Sequence, residues 1–193
     1  MKRMKPTKRV YFVLGLANSG NRMMVQALCA SGCYGNPLPP HSELLGESPT
    51  DLQPHTWPDR VVFARSIPNG TIIPDPLAFA APMLEAGFHI TPIHMYRKTE
   101  FAIAGHLQAG YASHPEVALD RIDLTAHLIH ELGAAIHTPV ITVIYELLVR
   151  LPRYRSLLFS QLDLPPTPYE FFNANENEEK YPALLMADHT YSI

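Results

Sequence analysis

The stretch Val10-Tyr11-Phe12-Val13-Leu14-Gly15-Leu16-Ala17-Asn18-Ser19-Gly20-Asn21-Arg22-Met23-Met24 decides how the chain is read. Residues 10–14 are apolar or β-prone and predict a strand. Gly15-x-x-x-x-Gly20 follows, and helix-forming residues then run from Gly20 to about Ser31. Strand, glycine-bounded loop and helix in that order make an anion cradle. Successive backbone N–H groups converge on the anion, and the helix N-terminus behind them adds partial positive charge. A loop that hydrolyses nucleoside triphosphates reads Gly-Lys-Ser/Thr at its end, with lysine on the β/γ-phosphates and the hydroxyl on magnesium. Here Asn21 and Arg22 hold those places. The loop is suited to a phosphate-like group, without the parts for magnesium-dependent triphosphate chemistry.

The bulk properties narrow the field. A chain of 193 residues is expected to form one domain over 1–193, large enough for a substantial core. Its net charge of −3 gives no support for nucleic acid or an anionic membrane as partner. Lys2, Arg3, Lys5, Lys8 and Arg9 make residues 1–9 a basic arm, either a solvated tail or a contact for an anionic cofactor or partner. No apolar run approaches the roughly 18 residues that cross a bilayer, and the N-terminus does not read as a signal peptide. Cys29 and Cys33 stand at i,i+4 spacing with no second Cys or His pair nearby. Two buried thiols in a reducing cytoplasm are expected rather than zinc, and no metal is implied.

Residues 33–59 carry six prolines, with His41, His55 and Trp57 among polar residues, and read as a long loop. Arg60–Arg65 reads as a short buried strand ending in a turn at Ser66–Gly70. Pro76–Gly87 reads as a helix capped by Gly87 and kinked at Pro82. His89–Tyr96 is a third strand, and Pro92 predicts an edge position or a bulge. Thr99 is the expected N-cap of a helix marked by Ile103, Leu107 and Tyr111. A longer helix over about 115–136 carries Leu124, Leu128, Leu132 and Ile136 on one core-facing stripe. Pro139–Tyr145 is a strand and Tyr154–Leu162 a last helix. Residues 166–193 read as a polar tail.

Strands alternating with helices predict an α/β three-layer fold of the P-loop NTPase type, with a mostly parallel sheet of about four to five strands and helices on both faces. Ligands of such sheets sit at the carboxyl ends of the strands. The residues to read are therefore the loop 15–22, Arg65-Ser66, Arg97 and Tyr145-Glu146. Arg65 and Arg97 offer planar forks that suit phosphate and sulfate. No strand ends in an Asp placed to hold magnesium, and Glu146 is the one acid so placed. Amide donors and arginines without an obvious metal are what transfer of a sulfuryl group requires, together with a base for the acceptor.

With these residues in place the chain resembles the P-loop sulfotransferases, which use 3′-phosphoadenosine 5′-phosphosulfate (PAPS), and especially their short, divergent bacterial and phage relatives. Gly15-Leu-Ala-Asn-Ser-Gly-Asn-Arg22 is similar to the family's Gly-x-x-Arg/Lys/His-Ser-Gly-Thr-Thr/Arg loop for the 5′-phosphosulfate. His94-Met-Tyr-Arg97 and the helix after it resemble the strand–arginine–helix segment that binds the 3′-phosphate, where a serine usually follows eight residues after the arginine. Val143-Ile-Tyr145-Glu146-Leu-Leu148, Pro152 and Leu157–Pro165 resemble the family's Tyr-Glu-x-Leu strand end, helix and Asp-Leu-Pro ending. Val61–Pro68 aligns more loosely with the strand carrying Lys-Thr-His-x-Pro in cytosolic members. The matches span most of residues 10–165 in the family's order.

The resemblance implies a cytoplasmic enzyme moving a sulfuryl group from PAPS to a hydroxyl or amine of a small molecule or glycan, releasing PAP, with no metal required. It assigns the 5′-phosphosulfate to Asn18, Ser19, Gly20, Asn21 and Arg22, and the 3′-phosphate to Arg97. Gly105 stands where the phosphate serine would be, with His106 beside it, either on that phosphate or packed. Tyr145 and Trp57 are candidates to stack on adenine or to pack in the core. Arg65 would stabilise charge on the transferring group. The departures are Asn18 for a basic residue, Asn21 for a threonine (with a side chain still able to donate to an anion), and Ala64 or Arg65 with Ser66 where many members have a catalytic Lys and His. Serine alone is a poor base, so the catalytic set is His41, Arg65 and Ser66, with Glu43 the carboxylate alternative to His41. Arg22 has two readings, a cofactor phosphate or an inward carboxylate. The rival function is a nucleotide-binding or protein-interaction module on the same fold, possible in a viral assembly; Asn21 and Arg22 disfavour a kinase.

Overall fold

The computed structural model of the chain describes residues 8–35, 48–68 and 72–171. Four strands, β1 (Arg9–Gly15), β2 (Arg60–Ser66), β3 (His89–Tyr96) and β4 (Ile141–Ile144), pair side by side in the order β2-β1-β3-β4. Every pairing is parallel: Gly15 lies opposite Ser66 on one side and Met95 on the other, and Tyr96 lies opposite Ile144. All four carboxyl ends therefore meet along one edge. Helices α1 (Asn21–Ala30), α2 (Pro76–Glu85), α3 (Thr99–Gln108), α4 (Pro115–Ala135), α5 (Tyr145–Arg150) and α6 (Pro152–Gln161) complete the chain.

The sheet has two apolar faces because the strands carry large side chains on both sides. Val10, Phe12, Leu14, Phe63 and Ile90 pack with Phe79 and Met83 of α2 and Ile129 and Leu132 of α4. Tyr11, Val13, Val62, Ile93 and Met95 pack with Met24 and Leu28 of α1 and Leu158 and Phe159 of α6. Continuous apolar strands are what a parallel sheet covered on both faces needs.

Several local expectations change. Pro92 lies in β3, which is an interior strand and not an edge. β4 pairs with β3 only from Ile93 onward, so at Pro92 the strand still has a neighbour on one flank only. Lys98, not Thr99, occupies the cap of α3, and the Thr99 hydroxyl lies 3.1 Å from that of Tyr96. The buried face of α3 is Phe101, Ala102, Ala104, Gly105 and His106, rotated from the expected stripe. In α4 the centre of burial is Thr125, Ile129, Leu132 and Gly133, with Leu128 and Ile136 partly buried beside it. β4 stops at Ile144 and Tyr145 begins α5.

Residues 48–59 are not an open loop. Pro49 and Pro54 start single 3₁₀ turns, and Leu52 and Trp57 enter the core, Trp57 stacking 6.1 Å from Phe63 and meeting Phe88 edge-on at 6.0 Å. Trp57 is thus a core residue, not a shelf for adenine. The start of the tail is also pinned: Thr167 donates to the Ala27 carbonyl at 2.9 Å and the Tyr169 hydroxyl to Gln26 Oε1 at 2.9 Å. At the amino ends of the strands, Lys8 lies over Phe88, and Arg9 donates to the Leu162 carbonyl. These two residues of the basic arm stand at the opposite end of β1 from the glycine loop.

Candidate functional site

The loop between β1 and α1 is held by its own side chains. Ser19, 2% exposed, donates its hydroxyl to the Leu16 carbonyl at 2.6 Å. The Asn21 amide donates to the carbonyls of Gly15 and Leu16, each at 3.2 Å, and to Ser66 Oγ at 3.3 Å. This corrects the expectation that Asn21 offers a donor to the anion: its amide braces the loop onto the ends of β1 and β2. Asn18 and Gly20 both adopt positive φ, 67° and 94°. A Cβ on Gly15 would stand 2.6 Å from the Met95 carbonyl oxygen, and one on Gly20 2.6 Å from the Tyr145 ring. Gly20 caps α1 without any side-chain hydrogen bond, and the first turn of α1 has no acidic residue. The amides that open α1 therefore have no anionic side chain of their own helix to satisfy them.

Arg97 follows β3 directly and is 7% exposed. Its Nη1 donates to the Asn18 carbonyl at 3.0 Å, so the next strand end reaches across 79 residues to grip the loop. Its guanidinium lies 4.8 Å over the Tyr145 ring and 5.6 Å over that of Phe101. Tyr145, 4% exposed, is enclosed between Gly20 and Arg97 and serves as a packing floor rather than an open stacking surface. On its other side Arg97 Nε stands 3.9 Å from Glu146 Oε1, a charge contact longer than a hydrogen bond. The Lys98 N–H is shared between both Glu146 carboxylate oxygens at 3.3 and 3.4 Å. Burial pushes the Glu146 carboxyl above its usual value, while backbone N–H groups and the charges of Arg97 and Lys98 pull it back only in part.

The remaining expected residues divide. Gly105 and His106 are buried in α3, and His106 is 1% exposed. Neither His106 ring nitrogen makes a hydrogen bond of normal geometry, although the Ala17 backbone lies near enough to favour the charged ring. Burial outweighs that contact and, with the Arg121 charge, shifts the imidazole below its ordinary value, toward the neutral form. His106 thus abuts the loop at Ala17, while its ring meets Tyr111 edge-on at 5.6 Å. Ser66 joins the loop through Asn21. The Arg65 guanidinium lies 4.4 Å over Phe63 and 4.7 Å over Phe79, on the α2 face of the sheet, and Nη1 donates to the Ala64 carbonyl. Adjacent strand residues point to opposite faces, so only one of Arg65 and Ser66 can share the face of α1. Arg22 is exposed on the first turn of α1, its charge felt by the Tyr169 phenol. His41 and Glu43 lie outside the described residues, as does the sequon Asn69-Gly70-Thr71.

The partnership of Glu146 with Arg97 and the Lys98 amide was the part missed in the sequence. Its signal was present, as the one acid at a strand end. Among the described residues no group of three or more His, Cys, Asp or Glu is placed to hold a metal ion, and no helix is long and apolar enough to cross a membrane. Cys29 and Cys33 are free thiols pushed up by burial to about 11 and about 12.

No protein-family model matches the sequence, nor does any curated protein. Among solved structures the chain is similar to the sulfotransferase domain from the Synechococcus PCC 7002 olefin synthase. The TM-score is 0.51 and the identity 17%, over 90% of this chain and 78% of that one. The fold is sulfotransferase-like. At this identity the likeness is one of backbone architecture.

Proposed function

We propose that this protein is a sulfotransferase that takes a sulfuryl group from PAPS and passes it to a hydroxyl or amine of a small molecule or glycan. The observation that carries the reading is the bond from Arg97 to the Asn18 carbonyl. It brings a buried guanidinium and the uncapped start of α1 to one edge of the sheet, where a nucleotide with phosphates at both ends finds two cationic poles. The backbone of 18–22 would hold the 5′-phosphosulfate end and Arg97 the 3′-phosphate. The bound donor supplies the sulfuryl group. Fixed amide dipoles at the start of α1 stabilise negative charge on the phosphate side of the bond that breaks, and the acceptor proton needs a base. Ser66 is engaged with Asn21, and that role falls to His41, with Glu43 the carboxylate alternative. A cytoplasmic location fits the two thiols that stay free.

A second reading, a nucleotide-binding module without turnover, draws support from one feature: the Arg65 guanidinium lies over Phe63 and Phe79, on the α2 face of the sheet. Calorimetric titration with adenosine 3′,5′-bisphosphate, ATP and inorganic phosphate tests the common ground. We expect saturable binding of the bisphosphate in preference to the others, weakened at least about tenfold in Arg97→Ala by loss of a charge-assisted contact. Transfer of labelled sulfate from PAPS to acceptors in a cell extract then separates enzyme from module. If none of the three ligands binds, both readings are wrong.

A further inference from the structure

Arg97 has inward partners: the Asn18 carbonyl at 3.0 Å and the Glu146 carboxylate at 3.9 Å, with only 7% of the residue exposed. Glu146 is buried as deeply, 4% exposed. An anion arriving at this edge does not meet an unengaged cation. It meets one whose field is already partly neutralised by the protein's own carboxylate.

We propose that Glu146 is an internal competitor for Arg97, a built-in anion that weakens nucleotide binding while it is charged and stops doing so when it is protonated. The inference rests on the donor-site reading above. Among the described residues the groups acting on Glu146 are the Arg97 guanidinium, the Lys98 ammonium and N–H from the β3–α3 junction, and the Glu146 backbone amide. Lys98 N–H holds both carboxylate oxygens, so Glu146 stays fixed beside Nε rather than swinging away. A phosphate that draws Arg97 toward itself leaves this carboxylate buried with less compensating charge, and the carboxylate repels the incoming anion at short range. Burial already sets the carboxyl above its ordinary value.

The test compares wild type and Glu146→Gln for adenosine 3′,5′-bisphosphate binding by calorimetry from about pH 8 down to about pH 5. The ligand's own second phosphate ionisation and any titration of His106 enter both proteins alike and cancel in the ratio of dissociation constants. We expect Glu146→Gln to bind about three- to tenfold more tightly at the alkaline end, the effect of removing one nearby buried charge. That ratio should fall toward one as the pH is lowered and wild-type Glu146 takes up its proton. A flat ratio, or weaker binding by Glu146→Gln, overturns the inference while leaving the donor site standing. Absence of binding by wild type removes both. Should Glu146→Gln fail to fold, Glu146→Asp withdraws the charge by one methylene and carries the same expectation with a smaller ratio.

Discussion

Gly20 shows how tightly single residues set this site. Its φ of 94° is one that only glycine adopts at no cost, and a Cβ there would stand 2.6 Å from the Tyr145 ring. Gly32 shares the positive φ, 92°, but a Cβ there meets nothing within 4 Å. Gly32→Ala is therefore expected to cost about 1 kcal/mol, the backbone component alone. Gly20→Ala should cost about 2 kcal/mol or more, because the Tyr145 ring beneath Arg97 must move as well. Urea denaturation of both variants checks the difference; equal losses would show that the Gly20–Tyr145 contact is not structural. At this scale the sequence was partly legible. Glycines at 15 and 20, and an arginine after β3, follow from spacing. What Asn21 does with its amide does not, because donation to an anion and donation to Gly15 and Leu16 use the same atoms. Arg65 raises a related point. Residue type gives its chemistry, whereas the strand's alternation decides which face receives it.

The elements were clearer than their edges. All four strands followed from short apolar runs, and α2 from Pro76 at its start and Gly87 beyond its end, with Asp75 accepting from the Leu77 amide at 2.8 Å. Pro92 misled because the rule that proline avoids interior strands looks at a whole strand, while here β4 covers only the second half of β3. Thr99 misled because its hydroxyl meets that of Tyr96, three residues back, rather than capping the helix. The long loop concealed core residues because Leu52 and Trp57 stand singly, without a period. One element junction carries a prediction of its own. The Thr125 hydroxyl of α4 lies 2.6 Å from both the Ile67 carbonyl, just beyond β2, and the Arg121 carbonyl one turn back, sharing one hydrogen between them, and the Ile67 N–H in turn donates to the Gly15 carbonyl at 3.0 Å. This chain ties α4 to the base of the glycine loop through buried groups. Thr125→Val keeps the shape and leaves the Ile67 carbonyl without this donor, so a loss of about 1–2 kcal/mol is expected in urea melts, recovered by Thr125→Ser. Unchanged stability in Thr125→Val would mean that the bond contributes nothing net.

Across the whole molecule, the order β2-β1-β3-β4 and its uniform direction bring Gly15, Ser66, Tyr96 and Ile144 to one edge, and every residue of the candidate site follows from that. The alternation of strand and helix made this edge predictable from the sequence, since parallel strands collect their carboxyl ends together. Which residues at that edge engage one another was not predictable, because Asn18 and Arg97, or Lys98 and Glu146, are joined only by packing. The central claim is that this edge, between the start of α1 and Arg97, takes a nucleotide carrying phosphates at both ends. Backbone amide shift mapping by NMR during titration with adenosine 3′,5′-bisphosphate tests it most directly. The largest movements are expected on Asn18–Arg22 and on Arg97 and Lys98, with the lower half of the sheet still. Movements confined to another surface, such as the groove lined by Arg155, Thr167 and Phe171, or no movement at all, would contradict it.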